Sequence, residues 1–497
     1  MTDSARISSN QPAEAADQPT ESLRSQVRSA VIWRSGTQIL GQGIAWASTF
    51  LVIRILSPAD YGLFAMTQVI LVLLNMLNGY GLASAVIQKA EIDDRAVRQL
   101  FGMLILLNAG LALAQFLAAP LAAAYFRHPQ VGELLRVQAA LYMTTPFIAL
   151  PYALLSRRME FKRQSAVNLM SAVLGAIAAF AGAVSGLGVW TLVLAPAVMW
   201  TTRAAGMMWA AQWWRMPSFD FRGAGGIARY GGLMAAGQMF WFVQSQADVF
   251  IAGRTLPAYE LGIYTTSLFL AQIFVSKFVP PLNEVAFSAY ARIQDDGASM
   301  AAAFLTSVRT IFLAAMPFYL GLAVVADPLV SVVLGEKWLD TGPIVALLAL
   351  AMPFMTLQVL FAPASDARGH PEISARNSAT GAVVLGIAFL VGAHWGVRGL
   401  AIAWIAAYPL YLAICARRTL PVIGVRAQAV AAAVVVPVLA AIVMAAAVWL
   451  LDRALPVLSP AARLVILIPA GGLIYLAVLL AVARDMIRET IDLVRNR

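Results

Sequence analysis

Six ionisable residues stand where the chain otherwise avoids charge: Lys277, Glu284, Asp248, Arg34, Arg203 and Arg309 fall inside or at the ends of long apolar runs. Such groups are costly in an apolar setting and by default mark a pathway or a pair. Lys277 lies deep in FVSKFVPPLNEVAF, where Pro280 and Pro281 remove backbone donors and must kink a helix just beyond it. Glu284 follows about two turns later on the same helical face. Asp248 precedes Arg254 by about one and a half turns and has Gln244 and Gln246 close by. Two chemistries fit these residues. In one, Lys277 pairs with Glu284 or Asp248, and the arginines near span ends extend toward the interface. In the other, the cations line a cavity and hold an anionic headgroup while Asp248 or Glu284 takes up a proton or cation. Arginine suits a diphosphate because its fork makes paired charge-assisted bonds, and lysine supplies a point charge.

The elements that must position these groups are membrane spans. Of the 497 residues 61% are hydrophobic and 12% charged, against about 25% charged in a soluble domain. Apolar segments of about 20 residues, enough to cross a hydrocarbon core as a helix, recur from residue 31 almost to the end. They are continuous and lack the alternation of barrel strands, so the fold class is an all-α integral membrane protein. Fourteen runs read as spans, centred from near residue 42 to near residue 472. Residues 1–28 are polar and lack the apolar core of a signal peptide, so they read as a disordered tail. Connections on the tail side hold 23 Lys and Arg, and those on the opposite side hold 6. Positive charge is retained in the cytoplasm, so both termini are expected there. The net charge of +10 is spread over short cytoplasmic loops, which argues against nucleic-acid binding.

A phrase occurs twice. RILSPADYGLF (54–64) and RTLPAYELGIY (254–264) align Arg54 with Arg254, Asp60 with Glu260, Gly62 with Gly262 and Phe64 with Tyr264. Gly41-Gln42 answers Gly237-Gln238, LSRRMEFKRQS (155–165) answers SDARGHPEISAR (365–376), and GVWTL (188–192) answers GVRGL (396–400). Spans 1 to 6 and 7 to 12 therefore read as two repeats. Their offset of six spans, an even number, relates them by an axis along the membrane normal, as in parallel-repeat transporters. The expected division is a tail (1–28), a first lobe (29–220), a second lobe (221–420), and two further spans with a cytoplasmic tail (421–497). Within the phrase, Ser57 reads as a helix N-cap, Pro58 as the first helical residue and Asp60 as an acid at the positive helix end. Pro257 and Glu260 are expected to repeat those parts, with Arg54 and Arg254 snorkelling at the periplasmic face.

Catalytic chemistry finds little support. No zinc-protease, phosphate-loop or nucleophile-elbow pattern occurs, and His128, His370 and His394 lie in different connections. The single cysteine, Cys415, excludes an intramolecular disulfide and a multi-thiolate metal site, and reads as a small buried hydrophobe. No metal or cofactor is expected.

On the segments RILSPADYGLFAM, LSRRMEFKRQ, RYGGLMAAGQMFWFVQSQADVFIAGRTLPAYELGIYTTS and GEKWLDTGPIVALLAL, in that order and spacing, residues of about 30–420 resemble a known family. It is the polysaccharide-transport branch of the multidrug/oligosaccharidyl-lipid/polysaccharide flippase superfamily, the Wzx-like O-antigen and exopolysaccharide flippases. The resemblance implies a fold of the MATE and MurJ kind with two six-helix lobes. It also implies a substrate of undecaprenyl-diphosphate-linked oligosaccharide, moved from the cytoplasmic to the periplasmic leaflet of a bacterial inner membrane. A cationic cavity and ion coupling, implied likewise, map onto Lys277, Arg34, Arg203, Arg309 and Asp248. Membrane lipids, a polysaccharide polymerase and chain-length proteins are the partners it suggests. Two alternatives stay open: a multidrug or cation antiporter of the same superfamily, and a membrane-embedded polysaccharide polymerase or ligase. The antiporter would favour an acidic cavity, and the enzyme needs a larger periplasmic loop.

Overall fold

The computed structural model describes residues 23–78, 93–220, 225–484 and 486, with the side chains of 23–35 and 225–238 outside the description. The first half runs through α1 (Leu23–Ile55), α2 (Pro58–Asn75), α3 (Asp94–Phe126), α4 (Pro129–Ala139), α5 (Thr145–Arg157), α6 (Phe161–Val184) and α7 (Thr191–Ala211). The second runs through α8 (Gly225–Thr255), α9 (Ala258–Lys277), α10 (Val279–Arg292), α11 (Gly297–Val333), α12 (Thr341–Val359), α13 (Phe361–Ala367), α14 (Pro371–Gly392) and α15 (Gly396–Val422). Two further helices follow, α16 (Ala427–Ala454) and α17 (Pro460–Val482). No strand occurs among the described residues.

Ten stretches of the described residues are long and apolar enough to cross a membrane, and one of them, Pro371–Val422, holds both α14 and α15. The chain is a multi-pass helical membrane protein. The long helices α1, α7 and α8 are not among the ten; counting them, and α14 and α15 separately, would reach the expected fourteen. Large apolar side chains such as Leu117, Leu121, Ile177, Leu390 and Leu473 are exposed, as a lipid-facing surface requires.

The two halves use one packing scheme. In the first, α1 packs on α6, α6 on α7, α3 on α4, and α5 on α7. In the second, α8 packs on α14, α14 on α15, α11 on α12, and α12 on α15. These are the same pairings shifted by six spans. The loose sequence echoes fall at equivalent places: LSRRMEF joins α5 to α6, SDARGHPE joins α13 to α14, and 3-10 turns at Gly188–Trp190 and Ala393–Trp395 precede α7 and α15. Helix α16 packs on α11, and α17 on both.

The halves meet where α2 crosses α9. The crossing is so close that a Cβ on Gly62 would lie 1.8 Å from the Ala258 carbonyl oxygen, and one on Gly262 1.7 Å from that of Pro58. The duplicated phrases therefore touch one another, backbone on backbone. Local chemistry sets the entry of each helix. Ser57 Oγ accepts the Asp60 amide at 3.3 Å, and Asp60 Oδ2 accepts the Ser57 amide at 3.0 Å, a complete capping box with Pro58 as first helical residue. The echo departs from expectation. Pro257 is itself the N-cap, with no side-chain bond to give, and α9 starts at Ala258, the position that aligns with Pro58, and not at the proline. The physical reason is the missing serine: Pro257 occupies its place.

Around the crossing one apolar cluster spans both halves, including Ile53, Met66 and Phe126 from the first and Leu261, Tyr264 and Trp338 from the second. The tail expectation needs adjustment, because α1 begins at Leu23 and residues 23–28 are helical. LRSQVR holds no proline or glycine to stop the span's helix from continuing outward. Residues 1–22 and the end of the C-terminal tail, 487–497, lie outside the described residues.

Candidate functional site

The spanning stretch Ala258–Arg292 is interrupted at Phe278, whose backbone stays near helical and whose amide still bonds the Phe274 carbonyl. Helix α9 ends at Lys277, Phe278 interrupts it, and Val279-Pro280-Pro281 opens α10. Prolines are tolerated in the first turn of a new helix but not in the interior of an old one. The 20 residues of α9 carry the chain about 30 Å from the crossing. Lys277 therefore stands at the far end of α9, with 15 residues of the spanning stretch Ala258–Arg292 still to follow.

Beyond the break most of α10 is exposed, as is Lys277 at the end of α9. Glu284, Val285, Ser288 and Arg292 line, with Ala289, a cleft of about 460 Å³ along this one helix. Charge exposed on a segment apolar enough to span indicates a wet cavity. Among the described residues neither Lys277 nor Glu284 forms an ion pair. Of the two readings of Lys277, the ion pair with Glu284 or Asp248 is not formed among the described residues. Its carboxylate partners fail for two reasons: Glu284 points to the open cleft, and Asp248 is 2% exposed and already bonded.

Asp248 belongs to a separate, dry network. Its Oδ2 accepts the Tyr264 hydroxyl at 2.7 Å, its Oδ1 accepts the Val249 amide at 2.8 Å, and Tyr264 Oη accepts Trp404 Nε1 at 2.8 Å. The Trp404 ring stacks on Tyr408 with centroids 5.3 Å apart. This chain links α8, α9 and α15 around one buried carboxylate.

The expected arginines occupy different helices. Arg203 on α7 donates from Nε to Ser171 Oγ of α6 at 3.3 Å and lies over the Trp200 ring at 5.0 Å. Arg309 is half-buried on α11, and Arg34 is on α1 with its side chain outside the described residues. Sequence reasoning missed Arg292 and Ser288, although both follow Glu284 at helical spacing. It also missed Tyr264 and Trp404, which no local pattern ties to Asp248.

Two similarly packed helical halves, pressed together where α2 crosses α9, have the build of a membrane transporter. The chain belongs to the polysaccharide biosynthesis protein family, which its residues 51–343 match. It is 26% identical over 350 residues to the succinoglycan biosynthesis transport protein ExoT of Rhizobium meliloti (strain 1021), across 69% of this chain and 70% of the relative. It is 24% identical over 335 residues to the lipopolysaccharide biosynthesis protein WzxC of Escherichia coli (strain K12), across 66% and 67%. Among solved structures, the lipid II flippase MurJ in an inward closed conformation aligns with a TM-score of 0.75 at 12% identity, over 92% of this chain and 100% of that one. An inward-facing MATE multidrug transporter of the MOP superfamily aligns at 0.60, with 15% identity, over 79% and 98%. These likenesses establish the MOP-type fold, in agreement with the family resemblance read from the sequence.

Proposed function

We propose that this chain is a flippase that moves a polyprenyl-diphosphate-linked oligosaccharide from the cytoplasmic to the periplasmic leaflet of the bacterial inner membrane, for a surface polysaccharide. The observation that carries the reading is the exposed Lys277 at a helix end, without an ion pair among the described residues, followed on α10 by a cleft that holds Arg292, while the two halves are pressed together about 30 Å away at the start of α9. With both termini cytoplasmic, the open cleft lies at the inner leaflet, where such a substrate starts. Lys277 and Arg292 meet the diphosphate, and Arg34, Arg203 and Arg309 are the further cations of the path. Glu284 and Asp248 are the carboxylates available for ion coupling, and Asp248 is the better placed because its charge is shielded from substrate.

Residues 29–220 and 221–420 act as the two lobes that rock, and 421–497 follows the second. The chain performs no covalent step and needs no cofactor. Its partners are membrane lipids and the lipid-linked saccharide, with a polymerase and chain-length proteins taking over the product outside. The test is deletion of the gene followed by location of the lipid-linked oligosaccharide. Accumulation in the inner leaflet supports the reading. Single repeats displayed outside would point to a polymerase instead and overturn it.

A further inference from the structure

The duplicated arginines do more than end their helices. Arg54 is the penultimate residue of α1, and its Nη1 donates to the carbonyl of Val332, the penultimate residue of α11, at 3.1 Å. Arg254 is the penultimate residue of α8, and its Nη1 donates to the carbonyl of Tyr125, the penultimate residue of α3, and to that of Ala124 at 3.3 Å. Each arginine thus caps a helix of the other half, and the two contacts are the same contact repeated by the pseudo-two-fold axis. The last carbonyls of a helix have no partner within it and carry its negative end, so a cation there is favourable.

The surroundings reinforce this end of the molecule. Lys337 Nζ donates to the Ile55 carbonyl at 2.9 Å, and the fully buried Trp338 donates from Nε1 to that of Ile53 at 2.8 Å. The Arg254 guanidinium lies over the Tyr125 ring at 5.4 Å, and that ring stacks on Phe250 with centroids 4.4 Å apart. Of the six cations assigned to the outer connections, Arg54, Arg254 and Lys337 are spent on carbonyls across the halves.

From this geometry we infer that Arg54 and Arg254 form a reciprocal latch that holds the outer ends of the two halves together and must release for the cleft to open outward. The bonds are suited to release: they lie at the exposed edge, where water takes over both the guanidinium and the carbonyl when the ends part. The inference rests on the transporter reading above, and its test is independent of substrate.

The experiment places spin labels at Glu133 and Leu339, exposed positions at the outer ends of the first and second halves, in a Cys415→Ala background. Pulsed dipolar distances are then read in lipid nanodiscs without substrate. The parent should show one short, narrow distribution. R54A/R254A should move most of the population to longer distances, and each single variant should raise the longer fraction by about tenfold, as expected for one charge-assisted bond. R54K/R254K, which keeps the charge but not the fork, should fall between and covers the case in which the alanine pair fails to fold. A distribution in R54A/R254A, or in R54K/R254K if the alanine pair does not fold, that superposes on the parent overturns the latch. A failed flippase reading would show in the gene-deletion experiment and leave these distances unchanged.

Discussion

Replacing Gly62 by alanine adds one methyl group at the point where the halves touch. The new Cβ would stand 1.8 Å from the Ala258 carbonyl oxygen, whereas real Cβ atoms essentially never approach another atom closer than 3.0 Å. The crossing must open by more than an ångström, and both sides of the contact are backbone, so no side chain can swing away. Overpacking of this kind costs about 1–3 kcal/mol. Against it stands the helix preference of alanine over glycine, worth up to about 1 kcal/mol. The balance is net destabilisation with parted outer ends. Gly110→Ala and Gly472→Ala are the controls, because each adds its methyl group to open space and keeps only the favourable term. Thermal unfolding in nanodiscs should place G62A and G262A below the parent and the two controls at or above it. The double variant G62A/G262A should lose less than the sum of the singles, since both act on one crossing. If G62A melts with the controls, the backbone contact between the duplicated phrases is not real and the packing argument falls.

Lys277→Ala should cut lipid-linked oligosaccharide transport while leaving protein level and melting unchanged, because the side chain is exposed and holds no ion pair among the described residues; unchanged transport would remove it from the site. Asp248→Asn keeps an acceptor for the Tyr264 hydroxyl and should fold normally yet lose gradient-driven transport. Asp248→Ala should in addition melt lower, since an orphaned buried hydroxyl costs about 1–3 kcal/mol; full ion-coupled transport in the asparagine variant would refute the coupling role. Trp338→Ala removes a fully buried ring and its bond across the halves, a loss of about 3–5 kcal/mol, to be read by denaturation. A melting point equal to that of the parent would show that the ring does not anchor the outer end.

Much of the fold was legible because its signals are local. Apolar runs, the proline pair after Lys277, and the Ser57–Asp60 cap all act within a few residues, and each appears where it was read, although Lys277 ends its helix instead of lying within one. The repeat was legible because two copies can be compared with each other. The site was legible only in part. Lys277 and Glu284 are both exposed, and of the two readings left open for them the ion pair is not formed, because spacing along the chain says nothing about which way each side chain turns its charge. Asp248 was singled out for its charge, and its Tyr264 and Trp404 partners could not be, since Trp404 approaches from a distant helix.

The same distinction runs through the duplicated phrase. Its sequence alone determined two like-oriented halves, a helix start in each, and a cation ending the helix before it, all consequences of backbone geometry over a dozen residues. Only the tertiary structure decided that the phrases lie against each other at Gly62 and Gly262 and that each arginine reaches across to the opposite half. Those contacts join residues more than a hundred positions apart, and they depend on the angle and offset at which two helical bundles settle. That angle is set by the sum of many small packing energies, which no local pattern in the chain encodes.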